Sequence, residues 1–410
     1  VQQLFQHTFP NGLTLLAERM DHVRSASLVF MLPAGYVNEP ADRLGLAGVF
    51  AEMLTRGAGN RDSKELSLAL DNLGADRNES VGAFNVTLSA GTLARNLPRV
   101  LPLYADLVRR PWLSDEELAP AQELSLQDLQ GLEDSPSDLC LLDLKRRYYP
   151  EPYNRNQYGT PEGIQAITSA DVKRFHADRF RPNGAILSVA GNVDFAALKD
   201  QVGMLFGDWT GTAEPVRVSE GHRPTSGHIT KETNQTQIGV AFPTASFASP
   251  DFYLARGAIG VLSGGMSARL FTEVREKRGL CYSVSASYDQ VKDRASVVCY
   301  AGTRSEKAQQ TLDVTVGELR RLKDGITDEE VDRVKAGLKT SLIMQQESTS
   351  ARAGSMASDW FYLNRVRAIN EIQSAINGLM PATILAFLDR YPAKDFTVVT
   401  LGPQPLCVPA

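Results

Sequence analysis

"LSAGT", Leu88–Thr92, returns as "CYAGT", Cys299–Thr303, and "LSDEEL", Leu113–Leu118, returns as "ITDEEV", Ile326–Val331. The two pairs keep the same order and an offset of a little over two hundred residues. Between the marks, "LPRVLPLYADLVRR" and "AQQTLDVTVGELRRLKDG" both read as helix. Short matches in register mark a duplication, so the chain reads as one domain written twice. Alternation in "VTLSAGTL", "CYSVSASY" and "ASVVCYAG" predicts antiparallel strands with one covered face. Further strands open the halves: "NGLTLLAER" and "SASLVFMLPAG" in the first, "QTQIGVAFPTA" in the second. Helices are predicted over 44–56, 63–73, 115–132, 171–180, 251–261 and 267–277, several of them starting at a Ser or Asp cap. The expected fold is α+β: two repeated α/β-sandwich domains, each an antiparallel-rich sheet with helices packed on one face. "TGTAEPVRVSEGHRPTSG", Thr210–Gly227, is rich in Gly, Pro, Ser and Thr. It divides the chain into a first domain at 1–212, a linker at 213–227 and a second domain at 228–410.

A chain of 410 residues, 43% hydrophobic and 22% charged, has material for two large cores. Its net charge of -5 argues against nucleic acid or an anionic membrane surface as the main partner. No run approaches the ~20 apolar residues of a membrane span. The start, "VQQLFQHTF", has neither a basic flank nor an apolar core of an export signal, and is consistent with a trimmed leader. Four cysteines, Cys140, Cys281, Cys299 and Cys407, show no metal-binding spacing. Cys281 and Cys299 are equally far from Gln290, in an expected hairpin; they face each other as a disulfide or stand as two unlinked thiols.

In "LGLAGVFAEML", Leu44–Leu54, helical periodicity puts Leu46, Val49, Phe50, Met53 and Leu54 on a buried stripe. Gly48, Ala51 and Glu52 fall on another part of the surface at spacings i, i+3 and i+4. The run "RLGLAGVFAEMLTRGAGNRDSKELSLALDNLGADRNES" resembles the opening helices of the pitrilysin/insulysin-type zinc peptidases, which include the mitochondrial processing peptidases and related bacterial proteases. In active members the helix reads H-x-x-E-H, two zinc-binding imidazoles and a general-base carboxylate. The matching positions here are Gly48, Ala51 and Glu52, so both histidines and the base are replaced. The five histidines, His7, His22, His176, His222 and His228, include no i, i+4 pair. A further carboxylate completes the site in this family, and the matching helix "AQELSLQDLQGLED" offers Glu123 and Asp128. Glu52 with Glu123 or Asp128 is a poor zinc set without nitrogen or sulfur. His176, between Phe175 and Ala177, reads as a structural histidine.

The second half holds "SGGMSARLFTEVREKRGLCYSVSASY", Ser263–Tyr288. Leu270, Phe271 and Val274 form a buried stripe bordered by Arg275, and Gly279 turns the helix into a strand. Alternation puts Tyr282, Val284, Ala286 and Tyr288 on one strand face and Cys281, Ser283, Ser285 and Ser287 on the other. The resemblance is strongest here: active complexes of this kind grip the substrate backbone with an arginine and a tyrosine spaced as Arg275 and Tyr282 are. A guanidinium offers a rigid fork of donors, and a phenol can donate to a carbonyl. Arg278 is expected to point away. "YYPEPYNRNQYGTPEGIQAITSADVKRFHADRFRPNGAILSVAGNVD", Tyr148–Asp194, resembles the end of the first domain in the same family.

The resemblance implies a non-catalytic, substrate-binding subunit of a heteromeric zinc endopeptidase, with no cofactor of its own. Zinc is expected in a homologous partner subunit, as heterodimer or dimer of heterodimers, and unfolded peptide is the expected substrate. The rival reading is a structural core subunit, like the processing-peptidase-related proteins of respiratory complexes, with no role in cleavage. An unrelated enzyme is the weakest alternative, since no nucleophile–base pair or phosphate loop is present. A periplasmic location is expected, with the cytoplasm as the alternative.

Overall fold

The computed structural model describes residues 2–408. In the first sheet the strand order is β1 (Gln3–Thr8), β2 (Thr14–Arg19), β8 (Ile186–Gly191), β3 (Ser25–Leu32), β7 (Val86–Leu93) and β6 (Asp76–Val81). β2 and β8 run parallel, and every other neighbouring pair is antiparallel. A small hairpin, β4 (Gly57–Ala58) with β5 (Arg61–Asp62), stands apart. The second sheet runs β9 (Gly227–Thr230), β13 (Thr397–Gly402), β10 (Gln235–Pro243), β12 (Arg294–Arg304) and β11 (Cys281–Val291). Only β9 and β13 are parallel there. From β2 onward the two sheets match strand for strand, so the duplication read from short motifs is a duplication of topology. "LSAGT" lies in β7 and "CYAGT" in β12, each ahead of a helix: α3 (Leu97–Arg109) and α10 (Ala308–Arg321).

The expected sandwich has one addition: each sheet has a helix on its second face as well. Successive residues of β3 show this. Phe30 packs edge-on against Phe206 of α8 (Phe195–Phe206), whereas Val29 joins Leu16, Ile186 and Ala190 against Ala353, Met356 and Ala357 of α12 (Thr349–Leu363). In β10, Ile238, Val240 and Phe242 meet the core built with α9 (Phe252–Ser263), α10 and α14 (Pro381–Arg390). Ala241, on the other face, meets Cys140 and Leu144 of α5 (Pro136–Tyr148). All six residues of β8 and all six of β13 are buried. Strands buried on both faces read as near-continuous apolar runs rather than alternating ones, here with Ser188, Thr397 and Thr400 as small buried polar residues.

Both second-face helices are exchanged in sequence. The compact units are Val1–Gln130, Arg155–Arg217 and Met344–Ala368 in the first, and Gly131–Asn154, Val218–Ile343 and Ile369–Ala410 in the second. They are not the continuous blocks 1–212 and 228–410. In the first half α4 (Leu118–Gly131) leads into α5, which belongs with the second sheet; in the second half α11 (Asp328–Glu347) leads into α12, which belongs with the first. An apolar helix face specifies that it will be buried, not which sheet buries it. Specific polar contacts seat α12: the Ser27 and Thr349 hydroxyls lie 2.8 Å apart, and Arg352 donates from Nε to Glu18 at 2.8 Å.

The remaining helices are α1 (Leu46–Leu54), α2 (Ser63–Asp71), α6 (Pro161–Gln165) and α7 (Ser169–Arg179) in the first unit, with α13 (Ile369–Asn377) in the second. α2 begins at Asp62 with a reciprocal cap: Asp62 accepts from Glu65 N, and Glu65 accepts from Asp62 N.

Candidate functional site

α1 is seated as its sequence requires. Leu46, Val49, Phe50, Met53 and Leu54 are all buried, and the Phe50 ring meets Phe175 and Phe180 edge-on. Glu39 holds the N-terminus of the helix, accepting from Gly45 N at 3.0 Å and Ala47 N at 2.8 Å. Burial pushes its carboxyl from 4.5 up to about 7, against the pull of those two N–H groups and of Arg155. Gly45 adopts φ +105°, and a Cβ there would lie 2.6 Å from Ile164.

The opposite side of α1 is open. A Cβ built on Gly48 meets no atom within 4 Å, and Glu52 is 48% exposed, 3.9 Å from Arg56. Arg56 itself pairs more closely with Glu117, at 2.7 Å. Glu79 on β6, unmarked in the sequence reading, also senses this region. Burial raises its carboxyl, Arg77 offsets part of the rise, and the charge of Glu52 adds to it. The signal that could have found it is the alternation of "DRNESV", in which Arg77, Glu79 and Val81 share the more covered face. Glu123 and Asp128 both lie on exposed positions of α4.

These residues do not fit zinc. Gly48 and Ala51 have no donor atom, Glu52 is one carboxylate beside an arginine, and no nitrogen or sulfur ligand joins it. Among the described residues no three His, Cys, Asp or Glu side chains converge in a metal-binding arrangement. Three histidines are engaged locally. His176 donates from Nε2 to the Val108 carbonyl at 2.9 Å, and burial lowers its pKa; His222 bonds the Arg147 carbonyl and His228 the Thr400 hydroxyl.

In the second unit Arg275 and Tyr282 come together. The Arg275 guanidinium carbon lies 4.8 Å from the centre of the Tyr282 ring and 4.7 Å from that of Phe271. Two local irregularities create the group. The helix expected over 267–277 is π-helical across Phe271–Glu276, with Lys277 N donating to Thr272 O at 2.9 Å. β11 then opens on a bulge: Cys281 pairs with Thr303 and Ser283 with Gly302, leaving Tyr282 as the extra residue. A bulge re-aims its side chain and bends the strand, and Tyr282 stands 81% exposed. The rest of the run is neutralised on Glu273, which accepts from Arg278 and Lys277 and is held down to about 2 by those two cations. Arg278 thus points away, as expected.

The bulge also corrects the expected faces of this strand. Cys281, not Tyr282, shares the core-packed side with Val284, Ala286 and Tyr288. The hairpin is centred between Lys292 and Asp293 rather than on Gln290, since Val291 pairs with Arg294. Cys299 therefore stands opposite Ala286, and Cys281 opposite Thr303. The register separates the two sulfurs along the strands, and all four cysteines are free thiols.

Comparison with known proteins assigns a family model to each half of the chain. Residues 14–160 match the model of the insulinase family (peptidase family M16), and residues 166–338 match that of the peptidase M16 inactive domain. The chain belongs to the M16 peptidase family. A relative named an uncharacterized zinc protease in Rickettsia bellii is 24% identical over 402 residues, 97% of each chain. Another of that description in Bacillus subtilis is 25% identical over 409 residues, covering 97% of this chain and 98% of the other. The crystal structure of a peptidase M16 inactive domain from Pseudomonas fluorescens shares the fold at a TM-score of 0.91 and 22% identity, covering 99% of this chain and all of that one. A protease from Helicobacter pylori follows at 0.89 and 20%. No helix of the described residues is long and apolar enough to cross a membrane.

Proposed function

We propose that this M16 chain is the substrate-binding, non-catalytic subunit of a heteromeric zinc endopeptidase. The carrying observation is the contrast between its two motifs. α1 keeps the buried stripe that seats it but has Gly48, Ala51 and Glu52 where a metal site would need two imidazoles and a base. Arg275, half-buried, is stacked on Tyr282, which is presented to solvent. In this reading a homologous partner with H-x-x-E-H supplies the zinc and the activated water, and this chain binds and orients unfolded peptide.

The binding chemistry follows from the geometry. β11 is an edge of its sheet, so its outer N–H and C=O groups are available to an extended backbone. At the start of that edge the Arg275 fork donates to peptide carbonyls, and the Tyr282 hydroxyl donates to a neighbouring one. Backbone recognition of this kind selects for unfolded chain rather than for particular side chains.

The test is reconstitution. The purified chain is expected to leave casein intact and to restore its cleavage when mixed with a homologous chain bearing H-x-x-E-H. Arg275→Ala and Tyr282→Phe should each lower turnover of the complex by about tenfold or more, the scale of a lost transition-state donor, with assembly unchanged. Unaided digestion of casein would overturn the proposal. Neutrality of both substitutions would favour a structural subunit instead.

A further inference from the structure

We propose that Phe271 is a positioning residue that holds the Arg275 guanidinium ready for peptide; this rests on the reading that Arg275 and Tyr282 bind substrate. Three cations lie close together after Val274, and two of them are spent: Lys277 and Arg278 both pair with Glu273. Arg275 has no carboxylate partner among the described residues; its close neighbours are two aromatic rings. An unpaired arginine on a protein surface ordinarily samples many rotamers, and ordering it on binding costs entropy. Stacking removes part of that cost in advance. It uses the π-face of the guanidinium and leaves the in-plane N–H groups free for acceptors.

The two rings have different roles. Tyr282 is 81% exposed on a bulge, so it has little around it to fix its own ring. Phe271 is half-buried and sits on the same segment as Arg275, four residues earlier. Within the π-helical stretch a four-residue step is a little less than one turn, so the two side chains leave the helix on one side. The next residue but two, Val274, is fully buried and pins the segment to the core. Phe271 is therefore the fixed wall, Arg275 the group it orients, and Tyr282 the outer wall that also meets the peptide.

The experiment separates positioning from binding. The Arg275 Nε–H resonance, assigned by its loss in Arg275→Lys, reports side-chain order and ring-current shift in the isotope-labelled full chain. Fluorescein-labelled β-casein, an unfolded probe, reports binding by anisotropy. In Phe271→Leu, which keeps an apolar side chain of similar size, the Arg275 signal should move to the values of a mobile exposed arginine. Casein binding should weaken by about three- to tenfold. Phe271→Tyr should restore both, binding to within about twofold. An unchanged Arg275 signal in Phe271→Leu overturns the proposal. So does a changed signal with unchanged casein binding, provided that Arg275→Ala weakens binding. If Arg275→Ala binds casein as the unaltered chain does, the substrate-binding reading itself fails, and the role of Phe271 falls with it.

Discussion

Breaking the ion pair under α12 should unfold the first unit's architecture more readily than any surface change. Arg352 is 2% exposed in its side chain and Glu18 8%; Arg352 Nε and Nη2 lie 2.8 and 2.6 Å from the same Glu18 oxygen. Gln2 adds a donor at 3.2 Å. Arg352→Met keeps most of the apolar stem but strands the Glu18 carboxylate under the helix, which should cost about 3–5 kcal/mol. Glu18→Leu strands the guanidinium at a similar cost. The double variant Glu18→Leu/Arg352→Met buries no charge, so it should lie within about 1 kcal/mol of the parent or above it. The coupling between the two positions is then several kcal/mol, well beyond the additivity error of about 0.5 kcal/mol. Urea unfolding followed by tryptophan emission is the natural assay, since Trp112, Trp209 and Trp360 all lie in the first unit. At a slope of about 2 kcal/mol per molar, the single changes should lower the midpoint by about 1.5–2.5 M. Single changes costing below about 1 kcal/mol, or a double variant as weak as the sum of its parts, would refute the reasoning.

Two further outcomes concern protons and thiols. Glu39 rises from 4.5 to about 7 on folding, so between those pH values the folded chain keeps a proton that the unfolded chain has released. Stability from this group is greatest below about pH 4.5 and falls as pH rises through 7. Glu39→Gln should lose that slope, while its single amide oxygen can accept from only one of the Gly45 and Ala47 N–H groups; parallel stability–pH curves for the two proteins would count against the burial argument. In thiol titration Cys407, exposed, should react first and the half-buried Cys281 slowly. Cys140 and Cys299, each raised to about 12 by burial, should react only after denaturation. A Cys281–Cys299 disulfide mapped in unreduced, denatured protein would contradict the β11–β12 register.

Much of this was legible in the residues themselves. Repetition of "AGT" and "DEE" in the same order at nearly the same offset marked two copies of a topology, and the sheets match strand for strand. The stripe of α1 was readable because helical period alone decides which side of a helix is apolar. That Gly48 and Ala51 offer no metal ligand needed no coordinates, since glycine and alanine side chains have no donor atom in any conformation. What escaped the sequence lay where regular periodicity breaks. One extra residue at Tyr282 reversed the expected facing of Cys281, and the turn at Lys292 and Asp293 set the centre of the hairpin. The π-helical winding across Phe271–Glu276 has no signature in the sequence, although Phe271 and Arg275, four residues apart, are neighbours in any helix.

The sequence by itself determined that the chain is a doubled α+β protein, that its first helix carries no imidazole or thiol, and that an arginine and a tyrosine stand near a helix-to-strand turn. Tertiary structure alone decided which sheet receives α5 and which receives α12, and that Arg275 rests against two rings rather than an acid. The physical reason is one of range. Side-chain chemistry and local period are written residue by residue, whereas a choice between two equally apolar sheets, or between a ring and a carboxylate, depends on what the rest of the chain brings within contact distance.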